Sequence, residues 1–320
     1  MRDKAVAEAA KVLEQARSVL LFPHVTMDGD ALGSAAALCA ALRKLGKTAH
    51  VVIEDEIPET IAFLDRGYCT GDLGIVESPD VCVCVDCGEA HRFPRRKALF
   101  ESGATRVCVD HHESTKPFVE HNCIDAKASA TAEIAYDLIL ALGVEMDREI
   151  GEAIYAGILT DTGRFQYSNT SKTTHLIAAA LYDCGIDAAG IAIRLYQNVS
   201  REKLLLGSRI MGSMEIFAEG RAAMACMTRD MLKDTGARPE EADGVVEELR
   251  NIRGVEVACL LKERDPGLVK VSLRSKRYVD VLPLSERHGG GGHARAAGYS
   301  LRMPLDEAKE TLRQDMGALF

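Results

Sequence analysis

The side chains of this 320-residue chain that could bind hard cations or move protons collect in four short segments. HVTMDGDALGS carries His24, Asp28 and Asp30, and VCVCVDCG carries Asp86. VCVDHHES carries Asp110, His111 and His112, and GILTDTGRF carries Asp161. Carboxylates are hard ligands and imidazoles borderline ones. The mixture suits Mn²⁺, Fe²⁺ or Zn²⁺ better than Ca²⁺, or than a Mg²⁺ site made mostly of water. Asp28 and Asp30 stand on either side of a glycine, so each can face a different ion. Two cations about 3.5–4 Å apart can share a carboxylate and a hydroxide, activate that water and clamp a phosphoryl group during in-line displacement. Each segment alone has an ordinary reading. An aspartate after a strand is usually a helix N-cap, a DxD is common in turns, and paired histidines usually sit on a surface or in a core. The joint occurrence decides, because all four follow apolar runs that read as strand ends.

Those runs must hold the ligands in place. Residues 18–23, 49–53, 81–86 and 106–110 read as short apolar strands, separated by helical periodicity over 4–17, 31–45, 130–142 and 147–159. Strands alternating with helices predict an α/β, doubly wound and mostly parallel sheet. Such sheets bind ligands beyond the carboxyl ends of their strands. Residues 171–183 and 187–215 read as further helices. From residue 222 the pattern changes to strands over 222–228, 255–263 and 269–276, with helices over 239–251 and 305–317. The expected organisation is a catalytic domain over 1–185, a helical linker over 186–214 and a smaller mixed α/β domain over 215–320.

Composition bounds the partners. The chain is 47% apolar and 27% charged, with a net charge of −9. An acidic exterior disfavours long duplex nucleic acid, so a nucleic-acid substrate is expected to be short and held locally. The first residues mix charge with small side chains and lack a signal-peptide core. The longest apolar run, 35–42, is too short to span a bilayer. No membrane partner and a cytoplasmic location are therefore expected. Ten cysteines scattered through apolar segments suggest reduced thiols. Cys82, Cys84 and Cys87 have zinc-like spacing, but they lie in a Val-rich strand where cysteine serves as a small hydrophobe.

At this point the sequence resembles the DHH phosphoesterase family, through HVTMDGDALGS, VCVCVDCG, VDHH and GILTDTGRF. VKVSLRSK, YVDV and HGGGGHARAAGYSL resemble the family's DHH-associated domain. The length, without an added sensor or membrane domain, resembles the nano-RNase/pAp phosphatase branch. The resemblance implies two divalent ions, Mn²⁺ being expected. His24 and Asp28 would bind one, Asp30, His111 and Asp161 the other, and Asp86 would bridge. It implies that His112 lies beside the reacting phosphate and that Asp110 orients the neighbouring imidazole. It departs from the family at His288, where an aromatic is frequent, and at the loop Cys87-Gly88-Glu89.

Gly289 to His293 read GGGGH, a run whose backbone amides can converge on an anion. Glycine runs are more often plain flexible loops, but residues 262–302 hold nine Lys/Arg against four Asp/Glu. A basic patch beside such a nest reads as a phosphate pocket. The resemblance places Arg274, Ser275, Gly290, Gly291, Gly292 and His293 where the family grips the non-reacting phosphate or sugar. The expected division is that the first domain cuts, the second holds, and a cleft limits substrate length. Arg164 and Phe165, next to Asp161, are candidates to touch a base. The expected partners are short RNA oligonucleotides and nucleotide bisphosphates, with a homodimer admitted. The competing expectation is a phosphodiesterase for cyclic dinucleotides or their linear products. An inactive nucleotide-binding regulator would have lost metal ligands, and none is lost. A family pyrophosphatase would lack the GGGGH run.

Overall fold

The sequence alternation builds a parallel sheet in the first half of the chain. The computed structural model describes residues 2–320. Strands β1 (Ser18–Pro23), β2 (Thr48–Val52), β3 (Cys69–Thr70), β4 (Val81–Val85), β5 (Thr105–Asp110) and β6 (His121–Ile124) pair in the order β3-β2-β1-β4-β5-β6, every pair parallel. The helices of this half are α1 (Arg2–Gln15), α2 (Gly29–Lys44), α3 (Lys97–Glu101), α4 (Thr131–Ala141), α5 (Arg148–Asp161), α6 (Lys172–Asp183) and α7 (Ala188–Ala192). Alternate strand residues face opposite sides of the sheet. Val19, Leu21, Val83, Val85 and Val109 pack with α1, α2, α4 and α5, while Leu20, Phe22, Cys82 and Cys84 pack with Phe93 and Phe100. The chain leaves β1 toward β2 on one side and later crosses to β4 on the other. The sheet order therefore reverses between β1 and β4, the position where doubly wound sheets bind ligands.

Local chemistry starts the helices where they begin. The Asp28 side chain accepts from the amides of Asp30 and Ala31 and caps α2. Asp147 caps α5 through the Ile150 amide. The small-residue run in α2 has a packing purpose, since a Cβ on Gly33 would lie 2.5 Å from the Ala153 carbonyl oxygen of α5. Only glycine lets those two backbones approach so closely.

The second half carries α8 (Arg201–Gly212), β7 (Glu215–Phe217), β8 (Ala222–Met227), α9 (Arg229–Thr235), α10 (Val245–Asn251), β9 (Val257–Asp265), β10 (Leu268–Ser275), α11 (Leu282–Arg287), β11 (Gly291–His293), β12 (Ala296–Leu301) and α12 (Leu305–Gly317). Its strands form a mixed sheet in the order β11-β12-β10-β9-β8-β7, in which only β8 and β9 pair in parallel. Leu312 and Met316 of α12 cover one face, and Leu206, Ile210, Val246 and Leu249 of α8 and α10 cover the other. The chain divides into two compact units, 1–198 and 199–320, each described by itself. No single helix among the described residues is long and apolar enough to cross a membrane.

Two sequence expectations change. The helix read over 147–159 forms as α5, capped by Asp147 and buried on nearly every side, but it runs on to Asp161, so Asp161 ends a helix and not a strand. Residues 291–293 form a short strand pairing with β12, not an open loop. Gly292 has φ 137°, and a Cβ there would collide with Ala296 and Ala297. At that position the glycine is required by close strand approach.

Candidate metal centre

β1 and β4 end side by side, and each delivers a ligand at its carboxyl end. His24 follows β1 and is buried. Its Nδ1 lies 2.7 Å from the Val25 carbonyl oxygen, which assigns the proton to Nδ1 and turns the Nε2 lone pair toward Asp28 and Asp86, at 4.0 and 3.5 Å. Asp86 follows β4 with φ 54°, a left-handed conformation rare for aspartate outside turns. Its amide donates to the Val109 carbonyl at 2.9 Å. His111 follows β5 and approaches the Ala128 carbonyl through Nδ1 at 3.2 Å. Its Nε2 then points at Asp30, Asp86 and Asp161, at 3.9, 3.8 and 3.5 Å.

Three ligand trios result, each with its donor atoms within 4.8 Å of one another: His24, Asp28 and Asp86; Asp30, His111 and Asp161; and Asp86, His111 and His112. The third is not independent. It draws Asp86 and His111 from the other two, and His112 Nδ1, 3.6 Å from Asp86 Oδ1, is hydrogen-bonded to Asp110 Oδ1 at 2.7 Å. The first two share the centre through Asp86, whose Oδ2 faces His24 and whose Oδ1 faces His111.

Charge makes the case for cations here. Asp30 is buried among Asp86, Asp161 and Asp28, and both burial and repulsion raise its carboxyl well above the usual range. Burial pushes Asp161 up to about 7, with the Asp86 and Asp28 charges adding and His111 opposing. It also ends a helix, where the macrodipole disfavours a carboxylate. Burial opposes ionisation of Asp86, but a hydrogen bond with His24 and the charges of His112 and His111 outweigh it and hold the carboxyl below its usual range. Two buried carboxylates, Asp30 and Asp86, beside the half-buried Asp161 and the exposed Asp28, with no lysine or arginine in the trios, fit divalent ions in chemistry and in arrangement.

Asp110 is fully buried and organises the histidine pair. Its Oδ1 accepts from the His111 amide at 2.9 Å and from His112 Nδ1, and its Oδ2 accepts from the Thr115 hydroxyl. Burial lowers the affinity of His112 for its proton, but Asp110 and Asp86 outweigh this and raise its pKa to about 9. Sequence reasoning passed over Thr131, Asn169 and Ser34. The Thr131 hydroxyl donates to Asp86 Oδ1 at 2.7 Å, the Asn169 amide to the Asp161 carbonyl at 3.1 Å, and the Ser34 hydroxyl to Asp30 Oδ1 at 3.1 Å. Only the alternation of small and hydroxyl residues in KASATAE, just ahead of a helical run, hinted at the first.

The expected grip residues all lie in the second unit. Arg274 pairs through Nε with Glu247 Oε1 at 2.7 Å and donates from Nη1 to the Leu273 carbonyl. Ser275 is buried, and its hydroxyl reaches the Ala294 carbonyl at 3.4 Å. Gly291, Gly292 and His293 are exposed on the edge strand. Gly290 sits so close to the Gly298 carbonyl and Tyr299 that a side chain would not fit. His288 is stacked on Tyr299, with ring centroids 4.6 Å apart, and meets Asp315 at 2.8 Å. In the first unit Arg164 lies over the Tyr196 ring at 4.8 Å and Phe165 stacks on His175 at 5.3 Å. Cys82, Cys84 and Cys87 are buried, and Cys84 donates to the Cys87 carbonyl. No described cysteine joins a metal trio.

Residues 18–158 match the DHH family, N-terminal domain, and residues 221–319 match the DHHA1 domain. The bifunctional oligoribonuclease and PAP phosphatase NrnA of Thermus thermophilus is 32% identical over 308 residues, 96% of this chain and 91% of that protein. The chain belongs to the DHH family. Another DHH-family relative, the bifunctional oligoribonuclease and PAP phosphatase NrnA of Bacillus subtilis, is 28% identical over 92% of both chains. The DHH-family fold is also that of an exopolyphosphatase-related protein from Bacteroides fragilis, with a TM-score of 0.93 and 24% identity over 98% of this chain and 96% of that one.

Proposed function

We propose that this chain hydrolyses short oligoribonucleotides to mononucleotides and 3′-phosphoadenosine 5′-phosphate (pAp) to AMP, using two divalent ions, Mn²⁺ by preference. One observation carries the reading. Asp86 turns one oxygen to each of two ligand trios at the switch point of a parallel sheet. The names of the relatives from Thermus thermophilus and Bacillus subtilis supply the substrate class. The DHH-family enzyme is a hydrolase of phosphoric ester bonds.

His24, Asp28 and Asp86 would hold one ion and Asp30, His111, Asp161 and Asp86 the other. When bound, such a pair lowers the pKa of water and neutralises charge on a phosphoryl group. The protein's own residues do the rest. Asp110 fixes the His112 ring through Nδ1 and stabilises its charged form. His112 then stabilises charge on the phosphate or donates a proton to the departing oxygen. Arg274, Ser275, Gly290 to Gly292 and His293 hold the part of the substrate that does not react. The acidic remainder of the chain disfavours long nucleic acid. A cytoplasmic enzyme without a membrane partner follows from the same reading.

The test is a rate comparison of the Mn²⁺-loaded protein on pAp, pApA, a five-nucleotide RNA and a cyclic dinucleotide. Faster turnover of pAp and the short RNA is expected. Preference for the cyclic dinucleotide would replace this reading with the cyclic-dinucleotide one, and no turnover of any would refute a phosphoesterase.

A further inference from the structure

The ligand set owes its arrangement to the first turn of α4, a segment with no ligand of its own. Helix α4 starts at Thr131 after Ala130, which offers no side-chain cap. The orphan amides are taken by Asp30 instead. Thr131 N donates to Asp30 Oδ2 at 2.7 Å and Ala132 N to Asp30 Oδ1 at 2.9 Å. The Thr131 hydroxyl donates to Asp86 Oδ1 at 2.7 Å. One fully buried residue thus bonds carboxylates from both ligand trios.

The consequence is geometric. Asp86 serves both trios only if its two oxygens are spread between them, Oδ2 toward His24 and Oδ1 toward His111. Its backbone is in a left-handed conformation, so its side-chain direction is not that of an ordinary strand residue. The Thr131 hydroxyl fixes that direction from outside the trios. Glu133, one turn into α4, ties the same segment down. It accepts from the Ser129 and Thr174 hydroxyls, both at 2.6 Å.

We infer that Thr131 is the positioning residue that sets Asp86 to serve two ions at once. The inference rests on the two-ion reading above. The experiment compares Thr131→Val, which keeps shape and the backbone donor but loses the hydroxyl, with Thr131→Ser, which keeps the hydroxyl. Mn²⁺ alone is titrated calorimetrically into each metal-free protein, and the melting temperature of each metal-free protein is measured. Loss of a residue that orients a metal ligand typically weakens metal affinity or activity about 10–100-fold. The valine variant should bind Mn²⁺ about 10–100-fold more weakly, and the serine variant within a few-fold of wild type. Valine binding Mn²⁺ like wild type would overturn the positioning role and leave the two-ion reading standing. The role would also be overturned if valine lowered only the melting temperature, with Mn²⁺ affinity retained, or if serine bound as poorly as valine. A wild-type protein that binds no Mn²⁺ would sink both readings together.

Discussion

Asp86 sits in a backbone conformation that few side chains accept, with φ 54°, and it touches His24, His111 and Thr131 at once. Asparagine tolerates the same conformation, so Asp86→Asn removes charge while sparing the turn. Activity on every substrate should fall together, to less than about a tenth of wild type, since even the loss of groups behind a metal ligand costs about 10–100-fold. Turnover above that level, measured under Mn²⁺ saturation, would refute the bridging assignment. His112 makes a different case, because its Nδ1 is already held by Asp110. His112→Ala should keep the full metal content and lose about 10²–10⁴-fold in turnover, the usual weight of a general acid or base. Elemental analysis of the purified variant decides. A drop to one ion per chain would make His112 a ligand.

Between elements, the approach of α2 to α5 brings Asp28 and Asp30 to Asp161. Gly33→Ala should gain up to about 1 kcal/mol of helix propensity. It would also drive a Cβ to 2.5 Å from a carbonyl oxygen, which no rotamer can relieve. Overpacking of this kind costs about 1–3 kcal/mol, so the variant should melt several degrees lower and bind Mn²⁺ more weakly. An unchanged melting curve would show that the helices have room to part. In the second unit, the buried Glu256 carboxylate accepts from the amides of Arg277, Tyr278 and Val279, at 2.9, 2.7 and 3.0 Å, and so pins the loop that follows β10. Burial opposes its ionisation, but those amides outweigh it and hold its pKa below the ordinary value. Its stabilising contribution is therefore present above the unfolded value of about 4.3 and is lost as pH falls through the folded one. Glu256→Gln should lower the melting temperature at pH 7 by a few degrees, and the gap should start to close below about pH 4.3 and vanish only once the pH has fallen below the lowered folded pKa. A gap that persists at acid pH would point to packing instead. Elements with a strong period were legible from residue order alone. Val81 to Val85 and the capped, small-residue α2 are examples, and the strand ends lead directly to His24, Asp86 and Asp110. Asp161 was grouped with the strand-end ligands although the helical period over 147–159 runs up to it, because the apolar AGIL ahead of it reads equally as a strand end. β3, β6, β7 and β11 were missed because strands of two to four residues bury too little to show a period, and β12 because it opens on Ala296, Ala297 and Gly298, whose small side chains mask the alternation. Thr131 escaped notice because its partners lie 45 and 101 residues away in sequence.

Across the whole molecule, charge is divided unevenly. Residues 262–302 carry nine basic against four acidic side chains in a chain whose net charge is −9. The basic excess belongs to the second unit, and the carboxylate-rich ligand trios to the first. If Arg274 holds a phosphate that does not react, its contribution reaches chemistry only through positioning. Binding energy from such a remote group affects rate as well as affinity. Arg274 is paired with Glu247 through Nε, so a phosphate would have to compete with that carboxylate or join it. A charge-assisted contact contributes roughly 1.5–3 kcal/mol, or about ten- to a hundredfold. Arg274→Ala should therefore lower kcat/KM by that factor on pAp and dinucleotides, which depend on one anchor. Turnover of bis(p-nitrophenyl) phosphate, which has no second phosphate to hold, should change little. The variant should also discriminate less between dinucleotides and longer RNA. Glu247→Gln separates two meanings of a loss. If Glu247 only tethers Arg274 in place, kcat/KM on pAp should fall with it; if Glu247 competes with the phosphate, kcat/KM should rise. Equal losses on the generic ester and on nucleotides after Arg274→Ala would mean that the residue supports the fold, and the assignment of holding to the second unit would fail.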